Sequence, residues 1–500
     1  MKPNVPLFLS LHLASPTLSI SLPTNQTSLT WHKCPTSSET NAGLDCAELR
    51  VPLDWSNPND GETITLSMNR WPAKDPAKKI GTLVYNPGGP GISATDSVVD
   101  FASGDTYFGE ALRGFDLIGL DPRGAGRSTP IKCSPDLWNA RPSQFVHTEQ
   151  DFANLVQYNR DFALSCLNRT GNLVKHIDTP SVARDIDALR IALGEEKINF
   201  YGQSYGTQIG ESYAELFPRN FRAMVLDGNV DHSLTEIPTV VSEAYGYEVV
   251  WNRFVAWCNK TEDCVLRGQD INAQYTKLLD AAFQSPLEVP ECEDPDSSCR
   301  PSVRLEDITG TVQSTLDSKF VPAGYDQDTP TWRSLAKYLS AAFKGDYSDF
   351  APEIAENETS PLWQMQLVNC LDWEHNAASA ADLIHQTQFM FTAAPHTRGT
   401  AQAYAVNSMC AGWPFAVPDP PHRLVVEGNV APVFLLNSLY DPETPFDQAV
   451  GLQRQLPGSV LVAVREEGHT SYQYAGEAAR LMEAYLVNLT LPEPDTVVDS

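Results

Sequence analysis

Short apolar runs separated by longer amphipathic stretches fill the first half of the chain and return near its end. Six of them, at 82–85, 115–120, 198–201, 223–226, 433–436 and 460–464, have the length and the β-branched or aromatic content of buried strands. Ahead of them, 46–55 and 63–71 are joined by Asn57, Pro58, Asn59, Asp60 and Gly61, which predicts an antiparallel hairpin. Before the third run, Val182, Ile186, Leu189 and Leu193 recur at helical spacing behind Pro180 and Ser181, and Gly194 stops the pattern. A second helix is expected over 208–217, ended by Pro218. Strands alternating with helices make an α/β fold with a mostly parallel, doubly wound sheet.

From Asp231 to Arg423 the pattern changes. Helical periodicity appears around 243–258, 271–283, 332–343 and 379–391, and this stretch holds six of the ten cysteines. It lies after one sheet strand and before the next, where an insertion sits above the carboxyl ends of the strands. The expected organisation is a signal segment at 1–20, a first core part at 21–231, a mainly helical cap at 232–423 and a second core part at 424–500.

Charge and cysteine usage narrow the setting. A net charge of −28 excludes nucleic acid and anionic membrane surfaces as partners, since both would be repelled. The ten cysteines fall in close pairs (Cys34 and Cys46, Cys133 and Cys166, Cys258 and Cys264, Cys292 and Cys299, Cys370 and Cys410), which predicts five local disulfides. With no CxxC, neither a zinc nor a thioredoxin-type site is expected, and no metal or other cofactor is implied. Sequons at Asn25, Asn168, Asn259, Asn357 and Asn488 agree with a secretory route. The apolar run at 6–14, interrupted by Pro6 and His12, is read as a signal peptide, and no later stretch is long enough to span a membrane. The expected location is extracellular, or vacuolar.

The third strand runs directly into Gly202, Gln203, Ser204, Tyr205 and Gly206, a GxSxG pattern followed by a helix. The five residues alone are a weak signal; the strand before them and the helix after make them a nucleophile elbow. A hydroxyl attacks at neutral pH only with exposure, a base and an oxyanion trap. In hydrolases of this architecture the triad follows in the order Ser, Asp, His. Asp441, just after the 433–436 strand, is the expected acid, with Glu443, Asp447 and Asp227 as competitors. His469, just after the 460–464 strand and behind Gly468, is the expected base. The backbone amides of Tyr205 and, from the loop Asn86 to Gly91, Gly89 are the expected oxyanion donors; Gly88 is possible and Pro90 has no N–H.

These residues, together with Asp121 to Ser128 (DPRGAGRS), Cys370 and the Cys410 to Trp413 segment, resemble the secreted tripeptidyl aminopeptidase branch of the α/β-hydrolases, which is related to prolyl iminopeptidases. The resemblance implies an exopeptidase releasing tripeptides or shorter units from free N-termini. Ile92 and Thr470 stand where that branch leads one to expect glycine, so an altered acyl or leaving-group preference is implied. An aminopeptidase must also oppose a substrate ammonium with carboxylates, and Asp372 and Glu374 are the candidates. The alternative is a carboxylic ester, thioester or lactone hydrolase acting on a small metabolite, because the same catalytic parts serve both. The partner is in either case a peptide or small-ester substrate.

Overall fold

The computed structural model describes residues 28–294, 297–322, 329–428 and 430–499. The expected signal segment and the Asn25 sequon lie outside them. The main sheet is built from β1 (His32–Lys33), β2 (Asp45–Pro52), β3 (Thr63–Trp71), β4 (Gly81–Asn86), β5 (Phe115–Leu120), β6 (Ile198–Gln203) and β7 (Phe221–Asp227). A two-stranded ribbon, β8 (Leu287–Glu288) with β9 (Ser302–Val303), stands apart. The sheet is completed by β10 (Val433–Tyr440), β11 (Val460–Glu467) and β12 (Val497–Asp499).

Strand order is β1-β2-β3-β5-β4-β6-β7-β10-β11-β12. Pairing is antiparallel from β1 to β3 and between β3 and β5, and parallel from there on. The chain winds outward in one direction from β4 to β5 and in the other from β6 to β7. The carboxyl ends of β4 and β6 therefore flank a topological switch point, where a crevice opens in sheets of this kind.

Side chains alternate across the sheet with period two. Val84, Phe200, Met224, Leu226 and Leu435 pack into the apolar layer on one face, and Leu83, Tyr85, Tyr201, Val225, Phe434 and Leu436 into the layer on the other. On the first face lies the helix Thr179–Leu193, capped by the Asp178 carboxylate accepting from the Ser181 amide and ended by Gly194 at φ 71°. Against it packs Tyr205–Leu216, the helix leaving β6.

Between β7 and β10 the described residues add no strand to the main sheet. They form helices that include Glu236–Lys260, Ile271–Gln284, Leu305–Leu316, Trp332–Ala342, Gln364–Asp372, Ala380–Phe391 and Gln402–Cys410. Tyr247, Trp251, Phe254, Tyr275, Leu335 and Leu339 give several of these helices an apolar core separate from the two sheet layers. All five predicted disulfides are formed, and Cys370–Cys410 ties the helix Gln364–Asp372 to Gln402–Cys410. Among the described residues no helix is long and apolar enough to cross a membrane.

Candidate active site

Ser204 follows β6 directly and adopts φ 54°, ψ −128°, a conformation that side chains rarely take. The flanking glycines make the turn possible. A Cβ on Gly202 would lie 2.2 Å from the Gly206 carbonyl oxygen, and one on Gly206 would lie 2.7 Å from that of Asn86. The loop after β4 runs against the serine: a Cβ on Gly88 would come 2.9 Å from Ser204 Cβ and 3.1 Å from the Tyr205 nitrogen. The Gly88 amide donates to Asn86 Oδ1 at 3.0 Å, so it is engaged, whereas Gly89 lines the cavity that Ser204 and Tyr205 also line.

His469 lies one glycine beyond the end of β11, and Asp441 directly follows β10. Nδ1 of His469 is 2.9 Å from both carboxylate oxygens of the buried Asp441. That carboxylate is fixed by the amides of Glu443 and Thr444 and by the Thr444 hydroxyl at 3.0 Å. Burial alone would depress the imidazole pKa, but the adjoining Asp441 charge and hydrogen bond outweigh it and push His469 up to about 9. Nε2 is buried and has no hydrogen-bond partner among the described residues; Glu443 Oε2 is 3.6 Å away. His469 and Ser204 line a common cavity. A hydroxyl on a strained elbow, an imidazole–carboxylate pair and backbone amides beside the hydroxyl are the components of acyl transfer.

The other acids considered are placed differently. Asp227, at the end of β7, accepts from the Ser471 amide at 2.9 Å and from that of Tyr472 at 3.0 Å, and so anchors the loop that carries His469; burial raises its pKa to about 6. Gly228 leaves room for the ring, since a Cβ there would be 3.2 Å from His469 Cε1. Thr470 takes a positive φ of 62°, the conformation that glycine adopts without strain.

Two cavities meet at Ser204. One is bordered by Tyr85, Ile92, Asp317 and Tyr472 together with His469. The other lies between the inserted helices and the sheet, and four glutamates line it: Glu236, Glu243, Glu374 and Glu443. Burial pushes Glu243 up to about 8 and raises Glu236. Glu374 is thus brought to the cavity. Asp372 is not: its carboxylate is buried and accepts from the Thr179 amide at 3.0 Å and the Thr179 hydroxyl at 2.7 Å, and burial holds its pKa well above the usual range. Its helix ends there, so Asp372 faces inward while Glu374, two residues on, reaches the cavity. Sequence reasoning missed Glu236 and Glu243, on one face of a helix far from the motifs, where carboxylates spaced seven apart among apolar residues were the available sign.

The DPRGAGRS segment is structural scaffolding for this site. Arg123 and Asp185 form a buried bidentate pair, and Asp121 accepts from the amides of Thr95 and Arg127. Of the sequons, Asn168, Asn259, Asn357 and Asn488 are all exposed.

Fold, elbow and the placement of the acid and base define an α/β hydrolase of the serine type. The family described as alpha/beta hydrolase fold matches residues 81–473, and the chain belongs to it. It is similar to the serine protease Hip1 of Mycobacterium tuberculosis, with 31% identity over 92% of this chain and 89% of that protein. It is also 28% identical to the tripeptidyl aminopeptidase of Streptomyces coelicolor, over 88% of this chain and 79% of that one, and 31% identical to the carboxylesterase B of M. tuberculosis, over 85% and 80%.

Proposed function

We propose that the chain is a secreted serine exopeptidase that removes tripeptides or shorter units from free peptide N-termini through an acyl-enzyme. Ser204 Oγ attacks the scissile carbonyl, and His469 Nε2 takes its proton and returns it to the leaving amine. Asp441 holds the imidazole tautomer and stabilises its cation. The amides of Tyr205 and Gly89 receive the oxyanion, and water then repeats the sequence on the ester. Residues 232–423 act as the cap that closes the acyl side of the site.

The observation that carries this reading is the convergence of Glu236, Glu243, Glu374 and Glu443 on the cavity that Ser204 lines. An ammonium leaving water needs opposed carboxylates, and on entering it would favour the ionised form of Glu243 that burial disfavours in the free protein; a neutral ester or lactone needs neither. The names of the serine protease and aminopeptidase relatives agree with it. Five disulfides favour the secretory route, with the 1–20 segment as its signal and the sequons as glycan acceptors. Similarity to a protein named carboxylesterase B favours the second reading, an ester, thioester or lactone hydrolase.

A matched chromogenic panel separates the two: free-amine tripeptide, dipeptide and single-residue anilides, the same peptides N-blocked, and short-chain esters. Cleavage confined to free-amine peptides, with kcat reduced by roughly 10⁶ in Ser204→Ala, is expected. Ester turnover without amide turnover would transfer the assignment to the second reading.

A further inference from the structure

Away from Ser204, where the cap segment returns to the sheet, two histidines and an aspartate meet. His232 comes from the loop after β7, and Asp419 and His422 from the segment that leads back to β10. One ligand atom from each lies within 4.8 Å of the other two. The segment is already bound to the core here, since the His422 amide donates to the His232 carbonyl at 3.2 Å.

The hydrogen bonds around the rings decide which nitrogens are available. His232 Nε2 is 2.7 Å from the Asp372 carbonyl oxygen, which can only accept, so Nε2 carries the proton. Its Nδ1 therefore points a lone pair at Asp419 Oδ2, 3.7 Å away. His422 Nε2 is 3.0 Å from Glu215 Oε2, again an acceptor, and its Nδ1 is 3.9 Å from Asp419 Oδ1. That Nδ1 is also 3.0 Å from the Pro420 carbonyl, a contact that a cation would replace. Both rings thus have an outer acceptor on Nε2; His232 turns a free Nδ1 toward Asp419, whereas His422 Nδ1 faces the Pro420 carbonyl at 3.0 Å and must exchange it, and its proton, for the cation. Metal-bound histidines are oriented in this way, one by a backbone carbonyl and one by a carboxylate.

We propose that His232 Nδ1, Asp419 and His422 Nδ1 form a structural zinc site. Two imidazoles and a carboxylate match the ligand preference of Zn²⁺, and ligand atoms about 2.1 Å from a tetrahedral zinc stand about 3.4 Å apart. His232 Nδ1 and His422 Nδ1 stand 3.7 and 3.9 Å from the two Asp419 oxygens, and one ligand atom of each residue lies within 4.8 Å of the others, so binding draws the two rings and the carboxylate together. Water completes the coordination, while Glu215 stays on His422 Nε2 as its outer acceptor. Asp419 and His422 are three residues apart, but His232 lies far upstream, so no complete spacing motif announces the set.

The site joins three parts of the molecule: the loop after β7, the returning cap segment and, through Glu215, the helix that begins behind Ser204. Its inner partner, Asp372, holds Thr179, whose hydroxyl is 2.6 Å from the Tyr205 hydroxyl. Bound zinc therefore fastens the cap to the core without entering the cavities at the serine. This inference is independent of the peptidase reading.

The test is titration of the chelator-stripped, full-length secreted protein with Zn²⁺ alone, followed by calorimetry, and with Ca²⁺ as the contrasting ion. One Zn²⁺ per chain and a rise in Tm are expected, with at least tenfold weaker binding in His422→Gln and in Asp419→Asn and no change in His147→Gln. His422 is exposed, so its variant keeps the test intact if the buried Asp419 cannot be replaced without unfolding. Absence of zinc binding, or equal binding by wild type and His422→Gln, would overturn the proposal.

Discussion

At the scale of single residues, the imidazole governs the pH response. As the proposed base, His469 must be neutral to accept a proton, and Asp441 pushes its pKa up to about 9. The acid limb of kcat/KM is therefore expected above the ordinary imidazole value of about 6.5. In Asp441→Asn that limb should move down while kcat falls by about 10⁴, as pH–rate profiles of both proteins would record. A profile flat down to about pH 5 in the wild type would remove His469 from the role of base. Glu374 makes a different demand. Glu374→Gln should raise KM for free-amine peptides about tenfold, the effect of losing one charge-assisted hydrogen bond, and leave N-blocked esters unaffected. Equal changes on both substrate types would show that the residue merely shapes the cavity.

At the scale of elements, the inserted helices are held by cross-links as well as by packing. Cys370–Cys410 joins two nine-residue helices that border the glutamate-lined cavity. Replacing both cysteines by alanine should lower stability by about 2–5 kcal/mol in denaturant melts, and should raise KM more than it lowers kcat. Retention of both wild-type stability and KM would mean that the helices are fixed by packing alone. Elements of this size also mark what could be read in the chain. The strands that carry Ser204, Asp441 and His469 are continuous apolar runs ending in punctuating residues, so their chemistry lay next to a strong local signal. The edge strands β1 and β12, of two and three residues, are too short for any pattern. The helix Glu149–Thr170 escaped because its buried residues, among them Phe152, Leu155 and Phe162, are diluted by polar ones. Glu236, on a helix, and Glu374, in the loop after another, come to one cavity only through the fold, and no local rule distinguishes inward-facing Asp372 from Glu374.

At the scale of the molecule, the buried acids set the pH of greatest stability. Burial raises Asp227 from 3.8 to about 6 and Glu243 from 4.5 to about 8, so the folded form binds more protons than the unfolded chain between those values. Both contributions are present in acid and lost as pH rises through the folded pKa. His469, raised from 6.5 to about 9, acts in the same direction: its contribution is full below 6.5 and lost toward 9. Carboxylates held low, such as Glu467 beside Lys319 and Arg253, oppose this only in stronger acid. Thermal unfolding should therefore give a higher Tm at about pH 5 than at about pH 9, and the reverse order would refute the assignment of these groups. Stability and turnover then pull toward opposite ends of the pH scale.

Because Ser204 stands where two separate cavities meet, the two halves of a cleaved substrate need not leave together. On the proposed acyl-enzyme route, the amine half would depart through the cavity bordered by His469 while the acyl half stays bound to Ser204, leaving a vacant space beside the imidazole. Whatever enters that space next decides the product. Water completes hydrolysis; a second amine of suitable shape would take the acyl group instead, so the same architecture that trims a chain can, at high amine concentration, lengthen one.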